Sequence, residues 1–314
     1  MKNLFMNIVG RAVKDNTYKF ALAKFLLDYS NDEKLSKTKI ISYTVIAEKF
    51  LEYYWFQECK YKFKQDFKID KMPVIISIIR EFCGTEYIPE SYELYFSKRE
   101  GVRQKMILQI EKKCLQDVLP RFQPKGNSLF YNHFHKLSPS RKKFRLPAKD
   151  KRYIELHPES HKFLKENYNE LSKILVYEWA RYLEKTNFTP RLIAKIEGLG
   201  QHKRASLNSF KKILLNEMDA KCFYCEKSVK NRPLHIDHFI PWSYIYEDAI
   251  WNLVISCPTC NLKKSDNLAP KICLSKIEKR NKEYNFNEYN KDVTEYYNKC
   301  QSAGFLTLQT EICI

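Results

Sequence analysis

Apolar residues recur at spacings of three and four through the long N-terminal part of the chain, a rhythm that puts them on one face of a helix. Tyr18, Leu22, Phe25 and Leu26 make the first such face, with Asn16 or Thr17 available as its N-cap. Ile46, Phe50, Tyr53 and Tyr54 make a second, which runs into Trp55-Phe56. A third helix is expected from about Pro73 to Phe82, ending near Cys83-Gly84. Val102, Met106, Ile110, Cys114 and Val118 then step by four, with Ile107, Leu115 and Leu119 alongside. Pro120 is expected to close that helix, because it lacks an amide hydrogen and its ring crowds the preceding turn. From about 158 to 185, Leu164, Tyr168, Leu171, Leu175, Trp179 and Tyr182 trace one face of a long helix. Thr189-Pro190 interrupts it before a short helix over 191–197. Aromatic stripes of this kind build cores. Gly198-Leu-Gly200 loosens the chain, and a lead-in helix over 206–218 comes after it, so a domain boundary is expected between them.

The pattern changes over residues 120–152, which hold Pro120, Pro124, Gly126, Pro139 and Pro147 and only short apolar pieces. Ten basic residues and one acid fall in this stretch, so it carries half of the chain's net charge of +18. One reading is a loop or ribbon that grips phosphates through Arg141, Lys142, Lys143 and Arg145, since such contacts add sequence-independent affinity by releasing counterions. A solvated linker would carry the same charge. His133 and His135 share a face if 129–135 is a strand, but no third ligand accompanies them and both are read as structural.

Composition narrows the class. A chain of 314 residues with 44% hydrophobic and 14% aromatic residues is foldable and long enough for two domains. The excess of 55 Lys+Arg over 37 Asp+Glu points to a polyanionic partner, nucleic acid foremost. Residues 1–10 lack the apolar core and small-residue cleavage site of a secretory leader. No uncharged run is long enough to span a membrane. A reducing, cytoplasmic setting is therefore expected, in which closely paired cysteines hold metal rather than disulfides. Cys59, Cys83, Cys114, Cys273, Cys300 and Cys313 stand alone and are read as core or surface thiols.

The chemistry gathers in residues 222–266. Cys222-Phe-Tyr-Cys225 and Cys257-Pro-Thr-Cys260 are two tight pairs with 31 residues between them. Four thiolates fit a tetrahedral zinc site, and with every position taken by sulfur that zinc is structural. Between the pairs, His235-Ile-Asp237-His238 reads as a strand ending at Asp237-His238, and Asn252–Ser256 as a second strand. Pro258 suits a first helical turn, which places Asn261, Lys264 and Ser265 on one helix face. A carboxylate at a strand end and an amide on a facing helix can hold a hard cation through oxygen, while a neighbouring imidazole takes a proton from water.

These residues resemble the HNH endonucleases, the ββα-metal nucleases, over about 45 residues: zinc pairs, Asp-His, Asn-Leu and Cys-Asn-x-x-Lys occur in the family's order. The resemblance implies that His238 is the general base and Asp237 a ligand of the catalytic ion. Asn252 would pin the intervening loop. Asn261 stands where the family often has histidine and would ligate through its amide oxygen, favouring Mg2+ or Mn2+ beside a structural Zn2+. Lys264 would touch a neighbouring phosphate or be an ordinary exposed lysine, and His235 would be a supporting group or a structural histidine.

An α+β fold, mostly α, is therefore expected. Residues 1–205 form a mainly helical DNA-recognition or regulatory domain. Residues 206–314 form a small zinc-stabilised nuclease domain whose final helix carries Val293, Tyr296, Tyr297 and Cys300. The implied activity is metal-dependent hydrolysis of phosphodiester bonds in DNA. The alternatives are RNA cleavage, or a zinc-stabilised nucleic-acid-binding module without catalysis. Segments 16–22 and 177–184 resemble, more loosely, the helical leaders of bacterial HNH proteins of restriction or anti-phage type. That likeness brings expectations of a defence role, a partner protein such as a defence-system ATPase, and a homodimer, since one such site cuts one strand.

Overall fold

Helical periodicity is obeyed through most of the chain, and the departures from it are local. The computed structural model describes residues 1–11, 16–34, 38–65, 72–85, 88, 90–124, 128–140, 143–198, 206–286 and 292–309. They are mostly helical, with three small antiparallel sheets. Contacts divide the chain into two units. The first comprises Met1–Cys59, Phe63–Thr186 and Ile196–Gly200, and the second Lys60–Lys62, Asn187–Lys195 and Gln201–Ile314.

In the first unit, α1 (Lys2–Met6) leads through a π turn to α2 (Tyr18–Asn31), the most buried helix there. Phe20 stacks on Trp179 at 5.8 Å between ring centres, and Tyr18 meets Tyr54 edge-on at 5.7 Å. Each large side chain removed from water in this way contributes ~1.5–3 kcal/mol. Asn16 Oδ1 accepts from the Tyr18 amide at 3.0 Å, at the expected start. Next come β1 (Ile40–Ser42), α3 (Tyr43–Trp55) capped by Ser42 Oγ, and α4 (Val74–Cys83). The residue after α4 is Gly84 at φ +77°, a left-handed conformation that a side chain would strain.

After α5 (Tyr92–Ser97), the predicted single helix around Met106 is two: α6 (Glu100–Lys113) and α7 (Leu115–Phe122), parted at Cys114. Pro120 does not close α7; burial of Val118, Leu119 and Phe122 carries the turn past the missing amide. Next along the chain are β2 (Tyr131–Asn132), β3 (Lys136–Leu137), β4 (Phe144–Arg145) and β5 (Tyr153–Leu156). One antiparallel sheet runs β1-β5-β2, and β3 pairs with β4 as a separate hairpin. The long helix expected over 158–185 is also two, α8 (Pro158–Glu166) and α9 (Tyr168–Leu183). They part at Asn167, whose side-chain amide donates to the Phe163 carbonyl at 2.8 Å.

The residues of α10 (Leu192–Glu197) up to Lys195 belong to the second unit. Its remaining elements are α11 (Asn208–Glu217), β6 (His235–His238), α12 (Trp242–Ile245), β7 (Leu253–Ser256), α13 (Pro258–Lys264), α14 (Ile272–Glu283) and α15 (Val293–Ser302). Leu214, Tyr244, Trp251, Leu253, Ile277 and Tyr297 are among its buried side chains. Segments 60–62 and 187–195 add to this unit a contribution that the expected division at 205/206 leaves out. Lys195, fully buried, donates to the Tyr244 carbonyl at 2.6 Å and to Thr189 Oγ1 at 2.5 Å. The rings of Tyr61 and Tyr244 lie 5.6 and 5.5 Å from its ammonium. Burial pulls its pKa down to about 7.

Candidate active site

The first cysteine pair sits on a tight turn. Glu226 takes φ +61° and its amide donates to the Cys222 carbonyl at 2.8 Å, while the Phe223 amide donates to Ile255 of β7 at 2.8 Å. The second pair begins α13: Cys257 caps the helix, its sulfur accepting from the Cys260 amide at 3.5 Å. The four sulfurs lie within 4.8 Å of one another, with Cys225 and Cys257 at 4.0 Å. Metal–sulfur bonds of ~2.3 Å in a tetrahedron put sulfurs ~3.8 Å apart, so the cluster is compatible with zinc. Burial opposes ionisation of Cys222, yet hydrogen bonds from the amides of Cys257, Cys225 and Tyr224 hold its pKa below the usual thiol value.

Strands β6 and β7 pair antiparallel with His235 opposite Ser256, Asp237 opposite Val254 and His238 opposite Leu253. Chain geometry thus delivers Asp237 and His238 at the end of β6, where the backbone turns into 239–241. Asn252 pins that turn. Its Oδ1 accepts from the Ile240 amide at 2.8 Å, its Nδ2 donates to the Ile240 carbonyl at 2.9 Å, and its own carbonyl accepts from Phe239. Fully buried, Asn252 has these bonds in place of water. Arg280 and Asn281 of α14 brace the neighbouring backbone from the other direction. Arg280 donates to the carbonyls of Leu253 and Trp251 at 2.6 and 3.0 Å, and Asn281 to Trp251 at 2.9 Å.

Asp237 is buried and held on one oxygen. The Tyr224 hydroxyl donates to its Oδ2 at 2.6 Å, and the Lys264 ammonium lies 3.3 Å from the same atom. Burial, then the Asp237 charge, pushes the Tyr224 hydroxyl well above its ordinary pKa, which keeps it a donor. Lys264 also donates to the His238 carbonyl at 2.7 Å. The sequence assigned Lys264 to an external phosphate, and the structure corrects this: no part of the residue is exposed. At the end of α13 it turns inward, and the carboxylate and carbonyl compensate its lost hydration. Ser265, expected on the same helix face, lies beyond α13 at φ +48°.

His238 is buried and its Nε2 lies 2.8 Å from Asp248 Oδ1. An ionised carboxylate only accepts, so Nε2 carries the hydrogen and Nδ1 the lone pair. Asn261 Nδ2 lies 2.9 Å from His235 Nδ1, an arrangement that leaves the amide oxygen of Asn261 as its ligating atom. The expected set of Asp237, His238, Asn252 and Asn261 therefore falls on β6, on the turn before β7 and on α13, within one unit. The oxygen donors of Asp237 and Asn261 suit a hard cation. Sequence reasoning missed Asp248, Tyr224 and Arg280. For the first two, a carboxylate four residues before Asn252 and an aromatic inside a cysteine pair were the available clues.

The other expected contact residues lie in the first unit. Lys143 and Arg145 are exposed on the β3–β4 hairpin, and Arg141 and Lys142 lie outside the described residues. His135 is stacked on Tyr43, with its Nδ1 3.1 Å from the tyrosine hydroxyl, in a structural role as expected.

Two strands and a helix are gathered beside a four-cysteine cluster compatible with zinc, and residues 222–267 match the family model described as HNH endonuclease. No curated protein and no solved structure matches the chain. The family match covers the second unit's central part, and it bears out the resemblance read from the motif.

Proposed function

We propose that this protein is a metal-dependent endonuclease that hydrolyses phosphodiester bonds of DNA. The observation that carries the reading is the juxtaposition of Asp237 and His238 at the end of β6, each tied to its own partner. An incidental Asp-His step in a mere binding module has no need of two separate hydrogen-bonded supports.

Asp237 and Asn261 would hold the catalytic ion, Mg2+ or Mn2+, which when bound neutralises charge on the scissile phosphate and the leaving oxygen. His238 takes a proton from the attacking water at Nδ1, while Asp248 on Nε2 keeps the ring in that tautomer. Asn252 fixes the turn that carries the base. Lys264 steadies Asp237 and the His238 carbonyl from inside. Zinc on Cys222, Cys225, Cys257 and Cys260 would be structural.

Grip on the substrate is assigned to the basic segment. Residues 220–266 hold six Lys+Arg and five acids, so the motif itself is nearly neutral. Lys136, Lys143, Arg145, Lys149 and Lys151 are all exposed. Lys136 stands opposite Arg145 across the hairpin, and like charges so placed destabilise a free hairpin. A phosphate backbone supplies the compensating charge.

No helix among the described residues is long and apolar enough to cross a membrane. A cytoplasmic place, a role in bacterial restriction or anti-phage defence, a partner such as an ATPase and a homodimer complete the proposal. The defence role and the partner rest on the helical segments 16–22 and 177–184, and the homodimer on the one-strand reach of a single site. Supercoiled plasmid, single-stranded DNA and structured RNA, incubated in competition with Mg2+, test the substrate. Preferential plasmid nicking supports the reading, and preferential RNA cleavage overturns the choice of DNA.

A further inference from the structure

We propose that Tyr224 is a positioning residue through which the zinc knuckle sets the carboxylate of Asp237 for the catalytic ion. The inference rests on the nuclease reading above and adds a link between two sites that the motif presents as separate.

Tyr224 lies between Cys222 and Cys225, so its backbone is the crest of the knuckle. That crest is held on several sides. The Phe223 amide bonds to Ile255 of β7 at 2.8 Å, and Lys276 donates to the Phe223 carbonyl at 2.5 Å. The Phe223 and Tyr224 rings meet edge-on at 5.3 Å. From this support a side chain with only two rotatable bonds delivers its hydroxyl to Asp237 Oδ2 at 2.6 Å.

Asp237 needs such a support. A carboxylate on its short stem turns freely about two bonds, and a ligand free to turn binds an ion less tightly than one already set. With Oδ2 taken by Tyr224 and Lys264, Oδ1 is left for the cation. Lys264 supplies charge from a flexible stem, whereas Tyr224 supplies direction from a rigid ring. A half-buried tyrosine that only filled space could leave its hydroxyl to water; this one gives it to the carboxylate assigned to the ion. The knuckle backbone is therefore the base from which Tyr224 holds Asp237.

The test is a titration of Mn2+ into the zinc-loaded full-length protein, with free Mn2+ followed by its spin resonance and zinc measured per chain. Tyr224→Phe removes one oxygen. It should keep its zinc and its melting temperature and lose ~10-fold or more in Mn2+ affinity, as groups that orient metal ligands do. In an Asp237→Asn background the same substitution should cost little further. Equal affinity with and without the hydroxyl overturns the proposal, as does an undiminished loss in the Asp237→Asn background. A wild-type chain that takes up no Mn2+ overturns both this and the nuclease reading. One that binds Mn2+ yet cuts no nucleic acid overturns the nuclease reading alone, and the affinities still decide the role of Tyr224.

Discussion

Two short hairpins in this chain put the same backbone pattern to opposite uses. In β6–β7 three polar side chains are buried and each is tied: Asp237 to Tyr224 and Lys264, His238 to Asp248, and Asn252, on the turn before β7, to both sides of Ile240. In β3–β4 the charges of Lys136 and Arg145 stand opposite one another in water. Of the next pair, Leu137 is 42% exposed, and half-buried Phe144 has the Arg121 guanidinium 5.3 Å from its ring centre. Under the proposed function, the difference follows from what each task would demand. Proton transfer and ion binding require groups fixed to a fraction of an ångström in a poorly hydrated place. Holding a polyanion requires only exposed charge that can track a backbone and release counterions.

If that contrast is right, the hairpins should fail differently. Asp248→Ala removes the acceptor that holds the His238 ring, and kcat should fall roughly 10- to 100-fold with KM little changed, as when a general base is deprived of its orienting partner. Single-turnover cleavage at saturating plasmid reads this, and an unchanged kcat would leave Asp248 with no part in the chemistry. Nitrogen NMR of the imidazole should show the Nε2–H tautomer in the parent protein, and its disappearance in the variant.

Changing Lys136, Lys143 and Arg145 together to Gln should leave single-turnover chemistry intact and weaken DNA binding at every sequence tested. The slope of log K against log salt should shrink by ~0.9 for each phosphate no longer engaged. A slope that stays put would make the hairpin a solvated linker.

The smallest effect concerns the root of that hairpin. Burial, with His133 adding to it, pulls the His135 pKa from 6.5 down to about 3. Between those values the unfolded chain binds a proton that the folded chain refuses, so unfolding free energy falls as pH drops, by at most ~1.4 kcal/mol per pH unit. Urea unfolding of the first unit at two pH values within that window should show this fall, and His135→Gln should reduce it.

Much of the fold and site was legible in the sequence. Periodicity located α2, α3 and α4 because their buried positions are apolar, and cysteine spacing located both knuckles. The features that escaped have a common cause: tertiary partners that no local pattern encodes. The breaks at Cys114 and Asn167 interrupt runs whose spacing is continuous. Asp248 meets His238 from ten residues along a loop, and Lys264 points inward although lysine on a short helix ordinarily faces water. In α14 the buried residues are Ile277, Arg280 and Asn281, while Ile272 is 80% exposed, so hydrophobic pattern was blind to it. Polar residues do the anchoring there.

Whether His238 is the base of a metal-dependent nuclease is decided by nicking of supercoiled plasmid, with the parent protein and His238→Ala compared at matched zinc content. Nicking should require Mg2+ and fall by at least ~100-fold in the variant. Cleavage at the parental rate by a zinc-loaded His238→Ala protein would refute the assignment.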